Sequence, residues 1–143
     1  MPMSETFRIP GHRSHVPTAR QRVRKTLAGW GITDDLAADI TLSANELVTN
    51  AVAHCRVSHA QVRVTLTLLE AYLFLEVHDP DRDRVPRVRE HGPDAEGGRG
   101  LTLVGQLAHS WGHAQQPHTK CVWARFALPA LPAPEGPRVP AGS

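Results

Sequence analysis

The sequence predicts an α+β domain, a two-layer sandwich in which helices cover one face of a mixed, mostly antiparallel sheet. Three observations lead there. The stretch from Thr33 to His54 places apolar side chains at helical spacing. Gln61 to His78 alternates apolar and polar residues on either side of Glu70-Ala71, the pattern of a strand hairpin. The elements run strand, helix, helix, hairpin, loop, helix, strand, so strands and helices are grouped instead of alternating as parallel α/β units require.

Glu5 to Pro10 is the first strand, with Phe7 and Ile9 on one face. Its terminal proline suits a sheet edge or a strand end, where no ladder N–H is lost. Pro17 to Gly29 reads as a helix through Ala19, Val23, Leu27 and Trp30, interspersed with Arg20, Arg22, Arg24 and Lys25, and Gly31 ends it. Thr33 is the N-cap of the next helix, and Asp34 and Asp35 face the positive end of its dipole. That helix runs to about His54 on an apolar stripe of Leu36, Ile40, Ala44, Leu47, Val48 and Ala51. In the hairpin, Val62, Val64, Leu66 and Leu68 alternate with Arg63, Thr65 and Thr67 before Glu70-Ala71 turns the chain into Tyr72 to His78. A charged loop follows from Asp79 to Gly98, with Val85 and Val88 its only aliphatic residues larger than Ala. A helix from about Gly100 to Ser110 carries Leu101, Val104, Leu107 and Ala108, and Val122 to Leu128 is the last strand. The domain is expected over residues 1–128. Residues 129–143 carry five of the twelve prolines and no periodicity, the composition of a disordered tail.

A chain of 143 residues with 41% hydrophobic content buries about two-thirds of its unfolded surface, enough for a core without staples. Sixteen Lys+Arg against fourteen Asp+Glu leave a net charge of +2, too balanced to argue for nucleic acid. The basic stretch from Arg20 to Lys25 reads as a solvated helix face. No apolar run approaches the roughly 18 residues of a membrane span, so no membrane partner is expected. Cys55 and Cys121 make no disulfide framework and fit a reducing, cytoplasmic compartment. His109 and His113 are four apart, but Gly112 and the predicted helix end intervene, and neither cysteine sits in a C-x-x-C pair. No structural zinc site is therefore expected. G-x-S-x-G, Walker-A and Rossmann patterns are also missing from the sequence.

Three segments carry residues suited to chemistry. Glu46 and Asn50, four apart on the long helix, share one side that flanks the apolar stripe, and His54 continues the line. They line a pocket beside the sheet or form a solvated helix edge. The Asp79 to Gly98 loop is long enough to be a lid or a disordered insertion. Gly97-Gly98-Arg99-Gly100-Leu101 runs into a helix, and glycines there let a ligand approach free helix N–H groups. That makes an anion site in principle, although a plain loop-to-helix junction has the same pattern.

The order of these segments adds to each. Ala44-Asn-Glu-Leu-Val-Thr-Asn-Ala-Val-Ala-His54 closely resembles the N-box of the GHKL (Bergerat-fold) ATPase superfamily, in particular the anti-sigma-factor serine/threonine kinases. Asp79 stands at the place of that family's first glycine box, and Gly97 to Leu101 looks like its second. Lys120 to Phe126, containing Val-Trp, is similar to the closing strand of many actinobacterial members. The resemblance covers about residues 5–128. It implies an ATP site in which Asn50 holds Mg²⁺ and Glu46 orients or deprotonates the attacking hydroxyl or water. By the same resemblance Asp79 accepts a hydrogen bond from the adenine amino group, and His54 lies near the pocket wall. Gly98, Arg99 and Gly100 wrap the phosphates beneath the lid, flanked by Gly97 and Leu101. The family pattern D-x-G-x-G reads Asp79-Pro80-Asp81-Arg82-Asp83 here, so Asp81 takes a glycine's place at the nucleotide, and Cys55 stands where many members have Gly or Ala.

The function so implied is an ATP-dependent anti-sigma factor that sequesters a sigma factor and phosphorylates Ser or Thr on a STAS-domain anti-anti-sigma partner. The alternative is a non-catalytic partner-binding module of the same fold with weak or structural ATP binding, toward which the altered glycine box points. The basic helix with Trp30 is a surface for a homodimer. The residues before Pro17 leave no room for an upstream dimerisation and phosphoacceptor domain, so a second chain is expected to supply any phosphoacceptor.

Overall fold

Alternation and helical period sort this chain into strands and helices that share one apolar interior. The computed structural model describes residues 3–53, 60–79, 96–115 and 119–129. In chain order the elements are β1 (Met3–Pro10), a short 3₁₀ turn (Arg13–His15), α1 (Val16–Gly29), α2 (Asp34–Ala53), β2 (Gln61–Leu68), β3 (Tyr72–Asp79), α3 (Glu96–Leu107), β4 (Ser110–Gln115) and β5 (Lys120–Ala127). The sheet order is β1-β2-β3-β5-β4.

All four strand pairings among the described residues are antiparallel, so the expected α+β sandwich with a mostly antiparallel sheet is what the chain forms, with no parallel pair in it. The reason lies in β4, a strand the sequence reading did not include. Without it the chain returns from α3 straight into the last strand. With it, β4 and β5 form a hairpin, and β5 inserts between β3 and β4 antiparallel to both. Ser110-Trp-Gly-His-Ala-Gln115 has little strand propensity and no clean alternation. Its strand state comes from the ladder with β5 and from two tryptophans. Trp123 covers Gly112, where an added Cβ would stand 2.8 Å from the indole, and Trp111 lies against Gly105 of α3. The helix expected to reach Ser110 accordingly stops at Leu107.

One face of the sheet is the core face. Phe7 pairs with Val64, Ile9 with Val62, Leu66 with Leu75 and Val77 with Val122, each buried. Against these lie Val16, Ala19, Val23 and Leu27 of α1, the α2 stripe of Ile40, Ala44, Leu47, Val48 and Ala51, and Leu101 and Val104 of α3. Helix α2 is the central one, packed on α1, α3, β2, β3 and β5. Gly31 holds φ at +80°, a value that costs other residues a Cβ clash, and so turns α1 into α2 within a few residues. Among the described residues no helix is long and apolar enough to cross a membrane. The opposite sheet face carries Thr6, Thr65, Thr67, Tyr72, Phe74 and Trp123. The expected tail lies outside the described residues from 130 onward.

Gly112→Ala is expected to lower stability by about 1–3 kcal/mol, the range for overfilling a packed site. Gly29→Ala, where a Cβ meets open space, should leave the urea midpoint unchanged or slightly raised. Equal midpoints for the two variants would remove the Trp123 contact as the organiser of β4.

Candidate functional site

Helix α2 places the candidate residues through its apolar stripe. With Leu47, Val48 and Ala51 buried against the sheet, the helical period leaves Glu46 and Asn50 half-buried at the stripe's edge. Asn50 faces the end of β3. It lines a narrow pocket with Leu47, Ala51, Val77, Val122, Asp79 and Lys120. The pocket holds about 10 Å³, room for about one water molecule. Its walls are apolar and its polar groups are an amide, a carboxylate and an ammonium.

Asp79 is the last residue of β3 and Lys120 the first of β5, and the register sets them directly opposite each other. Both are core-facing, at 2% and 5% exposure, with Lys120 Nζ 3.8 Å from Asp79 Oδ2. A carboxylate this buried needs a partner, because removing either charge from water costs several kcal/mol. Sequence reading picked out Asp79 but gave Lys120 no role. The available signal was its place in the closing strand, where Val122, Ala124 and Phe126 alternate inward and Lys120 continues their face.

Glu46 is held from the side. Arg20 Nη1 of α1 donates to Asn45 Oδ1 at 2.8 Å, and Asn45 Nδ2 donates to Glu46 Oε2 at 3.0 Å. The relay restricts the carboxylate's rotamer and links it to a cation on the neighbouring helix. In sequence Arg20 belongs to a basic stretch that suits a solvated helix face, and nothing local marks Asn45. Their partnership needs the α1–α2 packing, which brings together residues 25 positions apart.

The glycine-rich segment lies otherwise than expected. Helix α3 begins at Glu96, so Gly97, Gly98, Arg99 and Gly100 lie within its first turns and not in a loop that precedes it. The first four N–H groups of a helix have no intrahelical acceptor, so the run still offers backbone donors and a positive dipole end. Leu101 is 2% exposed and belongs to the core, where it anchors the start of α3. His54 and Asp81, and most of the expected Asp79 to Gly98 lid, lie outside the described residues.

The other sheet face holds a second group of titratable side chains. His78 is buried beside Arg63, its partner across β2 and β3, and burial first and the Arg63 charge second push its pKa below the ordinary value of 6.5. Cys121 stands opposite His78 on β5. Burial, then the neighbouring Glu76 carboxylate, pushes its thiol up to about 12.

The family model described as a histidine kinase-like ATPase domain matches residues 9–126. That span includes every described strand and helix except the first residues of β1 and the last of β5. No curated protein matches the chain.

Lys120→Met is expected to destabilise the fold by about 3–5 kcal/mol by taking away the cation opposite the buried Asp79 carboxylate, and the double variant with Asp79→Asn should recover most of the loss. A double variant as unstable as Lys120→Met in urea titrations would show that the pair does not act as a unit. A second expectation concerns pH. His78 is neutral in the fold and takes up a proton on unfolding once pH falls below about 6.5, so stability declines from there toward its lower folded value and is level above. Urea midpoints at about pH 7.5 and about pH 5 should therefore fall further for the wild type than for His78→Gln.

Proposed function

The chain belongs to the histidine kinase-like ATPase domain family, and from that membership we propose that it is an Mg-ATP-dependent regulator that phosphorylates a Ser or Thr hydroxyl on a STAS-domain partner and sequesters a sigma factor. One observation carries the reading. Helix α2 and strand β3 bring Asn50 and Asp79 into a single apolar-walled pocket, with Glu46 one turn before Asn50 on the same helix.

The lining residues suit such a ligand in chemistry, and the pocket, with room for about one water molecule here, has to widen before a base can enter. Leu47, Ala51, Val77 and Val122 offer apolar walls suited to a flat base, and the buried Asp79 carboxylate accepts from an exocyclic amine. Asn50 offers one neutral amide oxygen, in keeping with the few protein ligands Mg²⁺ takes when phosphates complete its shell. Bound there, Mg²⁺ would neutralise phosphate charge. The N–H groups at the start of α3 supply a positive dipole end for the same anions. Glu46, aimed by Asn45 and Arg20, accepts the proton of the attacking hydroxyl. As that oxygen bonds to the γ-phosphorus, the bond from phosphorus to the β,γ-bridging oxygen breaks and ADP leaves. Such transfer depends mainly on positioning and charge neutralisation, which a rigid helix can provide.

A second reading has its own observation. The Lys120 ammonium 3.8 Å from Asp79 competes with a base amine for the carboxylate, and Asp79-Pro80-Asp81-Arg82-Asp83 has lost both glycines of the family pattern. Both features favour a partner-binding module that holds ATP weakly and transfers nothing.

Calorimetric titration of ATP with and without Mg²⁺ separates these readings. Under the first, the wild type binds in a magnesium-dependent way and Asn50→Ala loses that dependence. Magnesium-dependent binding of equal strength in Asn50→Ala would overturn the metal role. Glu46→Gln should keep nucleotide binding and lose about 10²–10⁴-fold in phosphate transfer to a STAS-domain protein. Arg20→Ala should lower kcat with little change in KM, since it acts through Asn45 on the orientation of Glu46. Nucleotide binding without transfer in the wild type would establish the second reading.

A further inference from the structure

The sheet face away from the helices carries a cluster that nucleotide chemistry does not use. Glu76 and His78 are two apart on β3 and so project to the same side, and the register sets Cys121 of β5 opposite His78. One donor atom from each residue lies within 4.8 Å of the other two. Cys121 Sγ is 3.9 Å from Glu76 Oε1, and His78 Nε2 is 4.0 Å from the same oxygen. In a tetrahedral zinc site with bonds of about 2.0–2.3 Å, neighbouring donors stand about 3.3–3.8 Å apart. The two approaches to Glu76 are within tenths of an ångström of that spacing, and the His78–Cys121 separation, within 4.8 Å, closes with a shift of about 1 Å or less.

A second observation points to a ligand. His78 is 7% exposed, yet among the described residues nothing hydrogen-bonds its Nδ1, and Nε2 has only the 4.0 Å approach to Glu76. Buried polar atoms are almost always satisfied, and those that are not commonly face water or an ion. Glu76, less buried than the other two, also lines an open hollow of about 300 Å³ with Thr67, Phe74 and Trp123. The hollow gives an ion a route in.

We propose that Glu76, His78 and Cys121 form a zinc site with three protein donors and a fourth position toward the hollow. A mixed sulfur, nitrogen and oxygen set suits a borderline-soft dication and is poorly suited to Mg²⁺ or Ca²⁺. The charges balance, since a thiolate and a carboxylate offset the ion. Binding forms a dative S–Zn bond and releases the thiol proton to the buffer. Arg63, across from His78, repels the dication and favours the neutral imidazole that ligation requires, while burial and the Glu76 carboxylate hold the thiol protonated until the ion displaces its proton. The proposal is independent of the nucleotide reading, because Glu76, His78 and Cys121 face away from Asn50 and Asp79 across the sheet.

The test is Zn²⁺ and Co²⁺ titration of the full chain carrying Cys55→Ser, in excess Mg²⁺ and without nucleotide. One equivalent of Zn²⁺ should bind, and Co²⁺ should give thiolate-to-metal charge-transfer absorption from the remaining thiol. Cys121→Ala and His78→Ala should each weaken Zn²⁺ binding by more than about 100-fold, beyond the 10–100-fold typical of outer-sphere partners. Asn50→Ala should leave it unchanged. Absence of charge transfer in the Cys55→Ser chain overturns the site, and that measurement needs no core variant to fold. Unchanged Zn²⁺ affinity in a Cys121→Ala protein with native circular dichroism overturns it as well.

Discussion

The burial of one helix stripe decides where the α2 residues of the candidate nucleotide site, Glu46 and Asn50, project. Ile40, Ala44, Leu47, Val48 and Ala51 are buried between the sheet and the flanking helices, and each large aliphatic side chain among them contributes about 1.5–3 kcal/mol when removed from water. Because successive helix residues are turned by about 100°, that burial leaves no freedom in where Glu46 and Asn50 project. A rotation of α2 by a single residue would carry Asn50 away from Asp79 and expose Leu47. The packing that stabilises the fold therefore also orients the chemistry, and the Arg20–Asn45–Glu46 relay refines that orientation from the α1 side.

The sheet divides its two faces between unlike environments. On the helix side, the buried strand residues are apolar, Phe7 and Phe126 among them, except at the end of the β3–β5 ladder, where Asp79 and Lys120 bring charge into the core. On the far side lie threonines, aromatic rings and arginines, with Arg125 stacked 4.4 Å over Tyr72 and the Phe74 and Trp123 rings 6.0 Å apart. His78 and Asp79 are adjacent in the chain yet serve opposite faces, since strand side chains alternate with a period of two. One ladder thus ends in a core-facing ion pair and an outward-facing donor cluster side by side.

The legible parts of this fold are those in which neighbours in sequence are neighbours in space. The α1 and α2 stripes, the Gly31 stop, the acidic first turn of α2 and the β2–β3 hairpin rest on contacts within a few residues or across a tight turn. Strand β4 was not legible because Gly112 and Ala114 carry no strand signal of their own, and its existence depends on β5 and on Trp123 filling the space above Gly112. The sequence pattern places the start of α3 four residues late because a glycine run argues locally for loop. Leu101 and Val104, packed into the core, hold that segment helical.

By itself the sequence determined the α+β class, the long helix carrying Glu46 and Asn50 on one side of its stripe, and Asp79 at a strand end, together with the resemblance that relates them. Only the tertiary structure decided what each of these residues meets. Lys120 reaches Asp79, Arg20 reaches Glu46 through Asn45, and Cys121 joins Glu76 and His78, across separations set by strand register and helix packing. Those separations exceed the reach of any local periodicity. A strand pattern tells which face a side chain takes, but its partner across the ladder is chosen by the burial of the whole sheet.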